Sequence, residues 1–98
     1  MIIPVSEKFN DYAEKVLNFL NNYDIRTLID ERSEKVGKKI RDNELKKIPY
    51  LLVVGEKEEN SDTVAVRIQG EGDRGSMQLK EFAEMIVRET ENQLKKAD

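Results

Sequence analysis

The stretch PYLLVVGEKEENSDTVAVRI, residues 49–68, decides the fold class of this chain. Tyr50–Val54 is an uninterrupted apolar run, which is typical of a strand that is buried on both faces. Thr63–Ile68 instead alternates, so that every second side chain points toward the same face of a sheet. The polar residues 56–62 between the two runs predict a short turn. The two strands should therefore form an antiparallel hairpin.

Strand and helix candidates alternate in the residues before this stretch. Residues 2–5 predict a short strand, and apolar residues at helical spacing over 9–23 predict an amphipathic helix. Residues 25–29 predict a second strand. Residues 34–47 predict a second helix that stops before Pro49, because the residue before a proline is disfavoured in helical geometry. The apolar side of this helix should carry Val36, Ile40, Leu45 and Ile48, with Lys35, Lys39 and Lys46 opposite.

The residues after position 68 complete the order of elements. The glycine-rich segment 70–75 predicts a hairpin connection, and residues 76–77 predict a short edge strand. Apolar residues from Leu79 to Leu94 predict a long C-terminal helix. Alternating strands and helices imply parallel pairing with right-handed crossovers. We therefore expect one domain, residues 1–98, with a three-layer α/β/α architecture, a mixed five-stranded sheet with one antiparallel strand, and three helices.

Composition excludes several kinds of functional site. The 98 residues include no cysteine and no histidine, which excludes disulfides and thiolate nucleophiles and removes most nucleophile–base pairs and transition-metal sites. The segment 70–75 lacks the Gly-Lys-Ser/Thr ending of a phosphate-binding P-loop. No apolar run is long enough to span a membrane, and no signal peptide opens the chain. Because residues 2–5 already predict a strand, we expect a domain cut from a longer protein, a naturally short protein being the alternative.

Positive charge is concentrated in residues 30–50. This segment holds seven Lys and Arg residues against five acids, in a chain whose net charge is −3. A basic helix face attracts polyanions even on an acidic protein. The alternative is a solvent-exposed face laced with ion pairs, since acids are interleaved with the cations.

Arg67 and Glu58 are the candidates for reading a nucleic-acid base. Arg67 ends one face of a predicted inner strand, and the turn that carries Glu58 should lie close to it. A guanidinium can donate to a base or stack on it, and a carboxylate can accept from the Watson–Crick edge of an unpaired guanine. The alternative is a surface salt bridge between the two side chains.

Three motifs resemble one known family. The segments DERSEKVGKKIRDNELKKIPYLLVVGEKE (30–58), VAVR (64–67) and GSM (75–77) resemble the C-terminal anticodon-binding domain of bacterial threonyl-tRNA synthetases. Related class II synthetases for proline, histidine and glycine share this fold. The resemblance covers the whole chain, and it implies a five-stranded mixed sheet with helices on both sides.

The resemblance implies recognition of the second and third anticodon bases, G and U, of tRNA(Thr). In the family, the arginine closing VAVR and the glutamate after GEK contact these bases, and here they correspond to Arg67 and Glu58. A third family contact is an asparagine, and Ser33 stands in its place with a shorter side chain and a single hydroxyl. The residues expected to contact the RNA backbone are Arg32, Lys35, Lys38, Lys39 and Lys46.

The resemblance places the enzymatic chemistry outside this chain. We expect no catalytic residue, metal or cofactor here, and a parent ATP-dependent threonine–tRNA ligase that uses ATP, Mg and a catalytic Zn in other domains. The expected partners are the tRNA(Thr) anticodon loop and the parent's catalytic domain, with no membrane involved. The parent should be a cytoplasmic homodimer, and this domain alone should be a monomer. The alternatives are a small α/β protein-interaction module that uses its charged helix, and a flavodoxin-like small-molecule binder, for which the required glycine-rich strand–helix turn is missing.

Overall fold

The computed structural model describes the backbone of residues 1–96 and the side chains of residues 1–91, so the side chain of Leu94 lies outside the described residues. The elements of residues 1–96 are β1 (Ile2–Pro4), a short 3₁₀ helix (Glu7–Phe9), α1 (Asn10–Asn21), α2 (Val36–Leu45), β2 (Tyr50–Val54), α3 (Glu56–Ser61), β3 (Thr63–Ile68), β4 (Gly72–Gln78) and α4 (Leu79–Lys96). Within these residues the strands form one four-stranded sheet in the order β1-β2-β3-β4. β1 and β2 are parallel, and β3 runs antiparallel to both β2 and β4. The prediction of a mixed sheet with one antiparallel strand is confirmed.

The main core lies between one face of the sheet and helices α1 and α4. It is built from Ile2, Tyr12, Ala13, Val16, Leu20, Leu52, Val54, Val64, Val66, Leu79, Phe82 and Ala83, all at most 7% exposed. Burying each of the larger apolar side chains contributes roughly 1.5–3 kcal/mol. α2 packs beside β1 on the opposite face, where Ile3 and Leu51 are buried. No helix within residues 1–96 is both long enough and apolar enough to cross a membrane.

The prediction of a second strand over residues 25–29 is wrong. Only Ile29 pairs with Ile2, in a single parallel bridge held by backbone hydrogen bonds of 2.8 and 2.9 Å. The next β1 residue that faces this edge is Pro4, which has no N–H to donate. The Pro4 carbonyl instead accepts a hydrogen bond from Lys39 Nζ at 3.3 Å. The ladder therefore ends after one pair, and the sheet of residues 1–96 has four strands instead of five.

The prediction of a polar turn over residues 56–62 is also wrong, because these residues form helix α3. Glu58 Oε1 accepts the N–H of Gly55 at 2.8 Å, and Glu59 N–H donates to the Gly55 carbonyl at 2.9 Å. This arrangement caps the first turn, where Glu56, Glu58 and Glu59 also suit the positive end of the helix dipole. Residues 1–96 thus contain four α-helices instead of three, although the antiparallel pairing of the flanking strands holds.

The predicted sides of α2 are wrong at two residues, Lys39 and Leu45. Val36, Ile40 and Ile48 are half-buried, and Lys35 and Lys46 are exposed, in line with the prediction. Lys39 and Asn43 are 3% and 1% exposed, whereas Leu45, expected in the core, is 73% exposed. Asn43 Nδ2 donates to the Asp30 carboxylate, which is itself 7% exposed, and Lys39 Nζ donates to the backbone carbonyl of Asp30. Buried polar groups require hydrogen-bond partners, so these two residues of α2 face inward.

Candidate nucleic-acid interface

One face of the sheet is left partly open. On the face where α2 packs beside β1, Val53 of β2 and Ala65 of β3 are only half-buried. Val53 and Ala65 are opposite each other in the ladder, and Ser76 of β4 is opposite Ala65. Arg67 follows two residues later on the same face, because side chains alternate along a strand. We call Val53, Ala65, Arg67 and Ser76 the open face.

Arg67 occupies the end of the open face nearest the start of β2. It pairs with Leu51 across the ladder, and its side chain is 31% exposed. Its Nη2 lies 3.5 Å from Glu44 Oε1, and its Nε is buried without a hydrogen-bond partner. Among the described residues, the guanidinium therefore has one loose ionic contact and a buried donor that no protein group satisfies. Sequence reasoning did not pair Glu44 with Arg67, because a contact between residues 23 positions apart depends on how α2 packs against the sheet.

Glu58 lies at the opposite end of β2. Gly55, which the Glu58 carboxylate caps, follows Leu51 by four residues, or about 13 Å of strand. The prediction that Arg67 lies close to Glu58 is wrong, because β3 leads away from α3 and reaches Arg67 only near its far end. The alternative of a salt bridge between these two side chains is excluded with it. The cap fixes Glu58 Oε1, while no described residue bonds Oε2.

Ser33 lies near the same end of the sheet as Glu58, where β2 ends. It is exposed, its Oγ donates to Glu7 Oε1 at 3.2 Å, and it lines a shallow depression that includes Val5. Val5 N–H donates to the Val54 carbonyl at 2.9 Å, which places this depression beside the end of β2. Ser33 and Glu58 therefore flank one end of the sheet, and Arg67 lies at the other.

Arg32 belongs to a charged cluster that we define as Asp30, Arg32, Lys39, Asp42 and Asn43. Arg32 Nε and Nη2 each donate to Asp30 at 2.9 Å, and Nη1 donates to Asp42 at 3.0 Å. Asn43 Nδ2 donates to Asp30 at 3.0 Å. The hydrogen bonds from Arg32, with that of Asn43, outweigh the effect of burial and hold the pKa of the Asp30 carboxyl well below its usual range. These contacts give Arg32 a structural role, and its predicted contact with the RNA backbone stays a prediction.

Four lysines in or next to α2 were predicted to contact phosphate, and they divide into one buried and three exposed side chains. Lys39 Nζ donates to the carbonyls of Pro4 and Asp30 at 3.3 and 3.1 Å, so the structure contradicts its predicted contact with RNA phosphate. The exposed lysines, whose phosphate contacts stay predictions, are Lys35, Lys38 and Lys46. Among these, Lys38 Nζ also donates to Glu34 at 3.3 Å.

The sequence matches the family described as "Anticodon binding domain" over residues 1–89. The chain belongs to this family. The anticodon-binding domain is 54% identical over 96 residues to a threonine–tRNA ligase of Bacteroides fragilis and 55% identical over 93 residues to one of Parabacteroides distasonis. These alignments cover 98% and 95% of the domain but only 15% and 14% of the two ligases. The resemblance stated from the sequence is confirmed, and the chain corresponds to one part of a much longer ligase.

Solved structures agree on the fold. The RNA binding domain of threonyl-tRNA synthetase from Cryptosporidium parvum superimposes with a TM-score of 0.80 at 24% identity, covering 90% of this domain and 22% of that chain. Histidyl-tRNA synthetase from Nostoc sp. superimposes with a TM-score of 0.79 at 16% identity, covering 91% and 22%. At these identities the likeness shows a shared α/β fold of the class II synthetase anticodon-domain type.

Proposed function

We propose that this anticodon-binding domain recognises the anticodon loop of tRNA(Thr) as part of a threonine–tRNA ligase. The observation that carries the proposal is the open face, with a buried and unpaired Arg67 Nε at one end and Glu58 at the other. An unpaired guanidinium donor and a fixed carboxylate are complementary to the acceptors and donors of base edges. The high identity to threonine–tRNA ligases supports threonine as the amino acid of the parent.

In this proposal Glu58 and Arg67 serve different bases. The α3 cap holds Glu58 Oε1, which leaves Oε2 to accept from the Watson–Crick edge of one unpaired base. Arg67 lies about 13 Å away along β2, so it contacts a neighbouring base of the same splayed loop, and its paired donors suit the O6 and N7 acceptors of the middle guanine. Ser33, beside the Glu58 end, adds a single hydroxyl. Each good contact of this kind contributes about 1–3 kcal/mol of discrimination, on the scale of bidentate base contacts in DNA.

The backbone of the RNA is held by the exposed cations of α2. Lys35 and Lys38 lie at its start and Lys46 just after its end, about 16 Å apart along the helix axis. These side chains supply affinity that depends on salt and carries no sequence information.

The aminoacylation chemistry belongs to the remainder of the ligase in this proposal. Within the described residues, no group of three or more acidic side chains is placed to hold a metal ion. From the relation to threonine–tRNA ligases, the proposal assigns ATP, magnesium and zinc to the parent's catalytic domain, and the homodimer interface and cytoplasmic setting to the complete enzyme. This domain contributes the position of the tRNA.

The experiment that tests the proposal is an NMR titration of the isotope-labelled domain with a tRNA(Thr) anticodon stem-loop. A second stem-loop, with the middle anticodon G changed to A, is the matched control. We expect selective shifts at Glu58, Arg67 and Ser33 that weaken with the changed base.

Two other outcomes would contradict base recognition. Equal shifts with both RNAs, confined to Lys35, Lys38 and Lys46, would show a nonspecific polyanion surface. The absence of shifts at low salt and millimolar RNA would favour a protein-interaction module instead.

A further inference from the structure

The Arg67 side chain has one charged contact among the described residues. Its backbone is paired with Leu51 of β2 and Asp73 of β4, and its Nη2 lies 3.5 Å from Glu44 Oε1 in the last turn of α2. Arginine presents five N–H donors in one rigid plane, so a single contact at Nη2 restricts the orientation of all of them. Glu44 thereby influences where the other donors of Arg67 lie.

Arg67 lines a small cavity. The cavity has a volume of about 30 Å³ and is lined by Glu44, Arg67 and the β3–β4 connection at Gly70 and Gly72, among others. It adjoins Arg67, whose Nε is buried without a partner. A buried donor is almost always satisfied in folded proteins, by protein, water or a ligand. The site therefore holds an arginine with one loose ionic contact at Nη2 and no partner at Nε.

We propose that Glu44 is a positioning residue for Arg67, fixing the guanidinium on the open face so that base selectivity depends on an acid acting through that arginine. The inference rests on the proposed function. The Glu44 side chain is 49% exposed, and so exposed an ion pair contributes little to folding. Its larger effect is on binding, since an arginine already restricted in the free protein loses less rotamer freedom when it meets a base.

Glu44 also has an opposite effect on binding. Its negative charge repels phosphates, so its removal should raise the affinity for any RNA. The two effects are separable because repulsion acts equally on all sequences, whereas positioning changes only the preference between bases. Selectivity, and not affinity, is therefore the informative quantity.

The experiment compares the affinities of five proteins for the G and A stem-loops. These are the unchanged domain, Glu44→Gln, Glu71→Gln, Arg67→Met and the double variant Glu44→Gln/Arg67→Met, for which Arg67→Met is the reference. Glu71 is exposed, lies in the connection near Arg67 and pairs with Arg74, so its change removes the same charge without touching Arg67. The Nε–Hε NMR signal of Arg67 is recorded for each protein that retains the arginine.

We expect Glu44→Gln to lower the preference for G over A by about 3- to 10-fold, as for coupled neighbouring residues, and to shift the Arg67 Nε–Hε signal. Glu71→Gln should change both affinities equally and leave that signal in place. In the Arg67→Met background, Glu44→Gln should leave the preference unchanged.

An unchanged preference in Glu44→Gln, together with a loss of preference in Arg67→Met, would overturn the positioning role and leave the proposed function standing. An unchanged domain that does not distinguish the two RNAs would overturn both. Thermal denaturation of each variant excludes unfolding as the cause, since Glu44 and Glu71 are both exposed.

Discussion

Two arginines contact acids on the same helix, and they differ in how completely they are bonded. Arg32 donates from Nε, Nη1 and Nη2 to Asp30 and Asp42 at 2.9–3.0 Å. Arg67 has one contact of 3.5 Å, to Glu44, and a buried Nε with no partner. Asp42 and Glu44 are only two residues apart in α2.

The difference separates a structural role from a binding role. A guanidinium with three donors bonded to carboxylates has less capacity left for a ligand than one with a buried, unsatisfied donor, which also gains free energy on binding. The charged cluster around Asp30 therefore joins α2 to the sheet, and Arg67 is the arginine of the proposed RNA contact. Each of the following predictions tests one side of this contrast.

The largest expected effect is the loss of stability in Asp30→Ala. The substitution removes the acceptor shared by Arg32 and Asn43 and leaves them without it at a site that is only 7% exposed, which should cost about 3 kcal/mol. Urea denaturation measures the change. Glu31→Ala, at the exposed neighbouring position, is the control and should stay within about 0.5 kcal/mol of the unchanged domain. If Asp30→Ala lowered the free energy of unfolding no more than Glu31→Ala does, the cluster would not stabilise the fold.

Lys39→Met should lower the free energy of unfolding by about 2 kcal/mol, because the carbonyls of Pro4 and Asp30 lose their donor while the volume is nearly kept. The salt dependence of RNA binding should not change. Lys35→Met, at an exposed position, should leave stability nearly unchanged. It should reduce the steepness of the plot of log K for RNA binding against log salt concentration by about 0.7–0.9. A change of this slope in Lys39→Met would instead support the predicted contact between Lys39 and an RNA phosphate.

The charged cluster should also make stability depend on acid pH. Because hydrogen bonds from Arg32 and Asn43 hold the pKa of Asp30 below that of an unfolded aspartate, the ionised carboxylate stabilises the fold above about pH 4. This contribution is lost as the pH falls below about 4 toward the folded pKa. Urea denaturation should therefore show the stability advantage over Asp30→Asn shrinking from about pH 5 to about pH 2. A constant difference across that range would mean that Asp30 is not ionised in the fold.

Much of the architecture could be predicted because it follows from local patterns. The apolar run of β2 and the alternation of β3 identified two neighbouring strands, and their antiparallel pairing is confirmed. Residues 25–29 were predicted to form a strand, but their pairing with β1 stops where Pro4 has no N–H to donate. Which residue of β1 lies beside this segment is a tertiary feature, and the local pattern of residues 25–29 does not contain it. Helix α3 did have a local signal, the glutamate three residues after Gly55 and the acids of the first turn.

The candidate site could be predicted less completely. The resemblance identified Arg67, Glu58 and Ser33, but their separation depends on the direction of β3 and on the length of α3. Periodicity placed Lys39 on the exposed side of α2 and Leu45 on the core side, and both assignments are wrong because apolar spacing does not register buried polar partners. The Asp30 carboxylate accepts from Asn43, and the backbone carbonyls of Pro4 and Asp30 accept from Lys39. The role of Lys39 could not be inferred from its own position.

The smallest expected change in stability is that of Arg67→Met, and this variant should have the largest effect on recognition. Its ion pair with Glu44 is half-exposed and loose, so the free energy of unfolding should change by less than about 1 kcal/mol. The preference for G over A in the stem-loop should fall by about 5- to 150-fold. Arg74→Met removes an exposed arginine of β4 that is paired with Glu71. This change should weaken the binding of both RNAs to the same extent. If Arg67→Met instead destabilises the domain as much as Asp30→Ala and retains its preference, then Arg67 is a second structural arginine and the contrast with Arg32 fails.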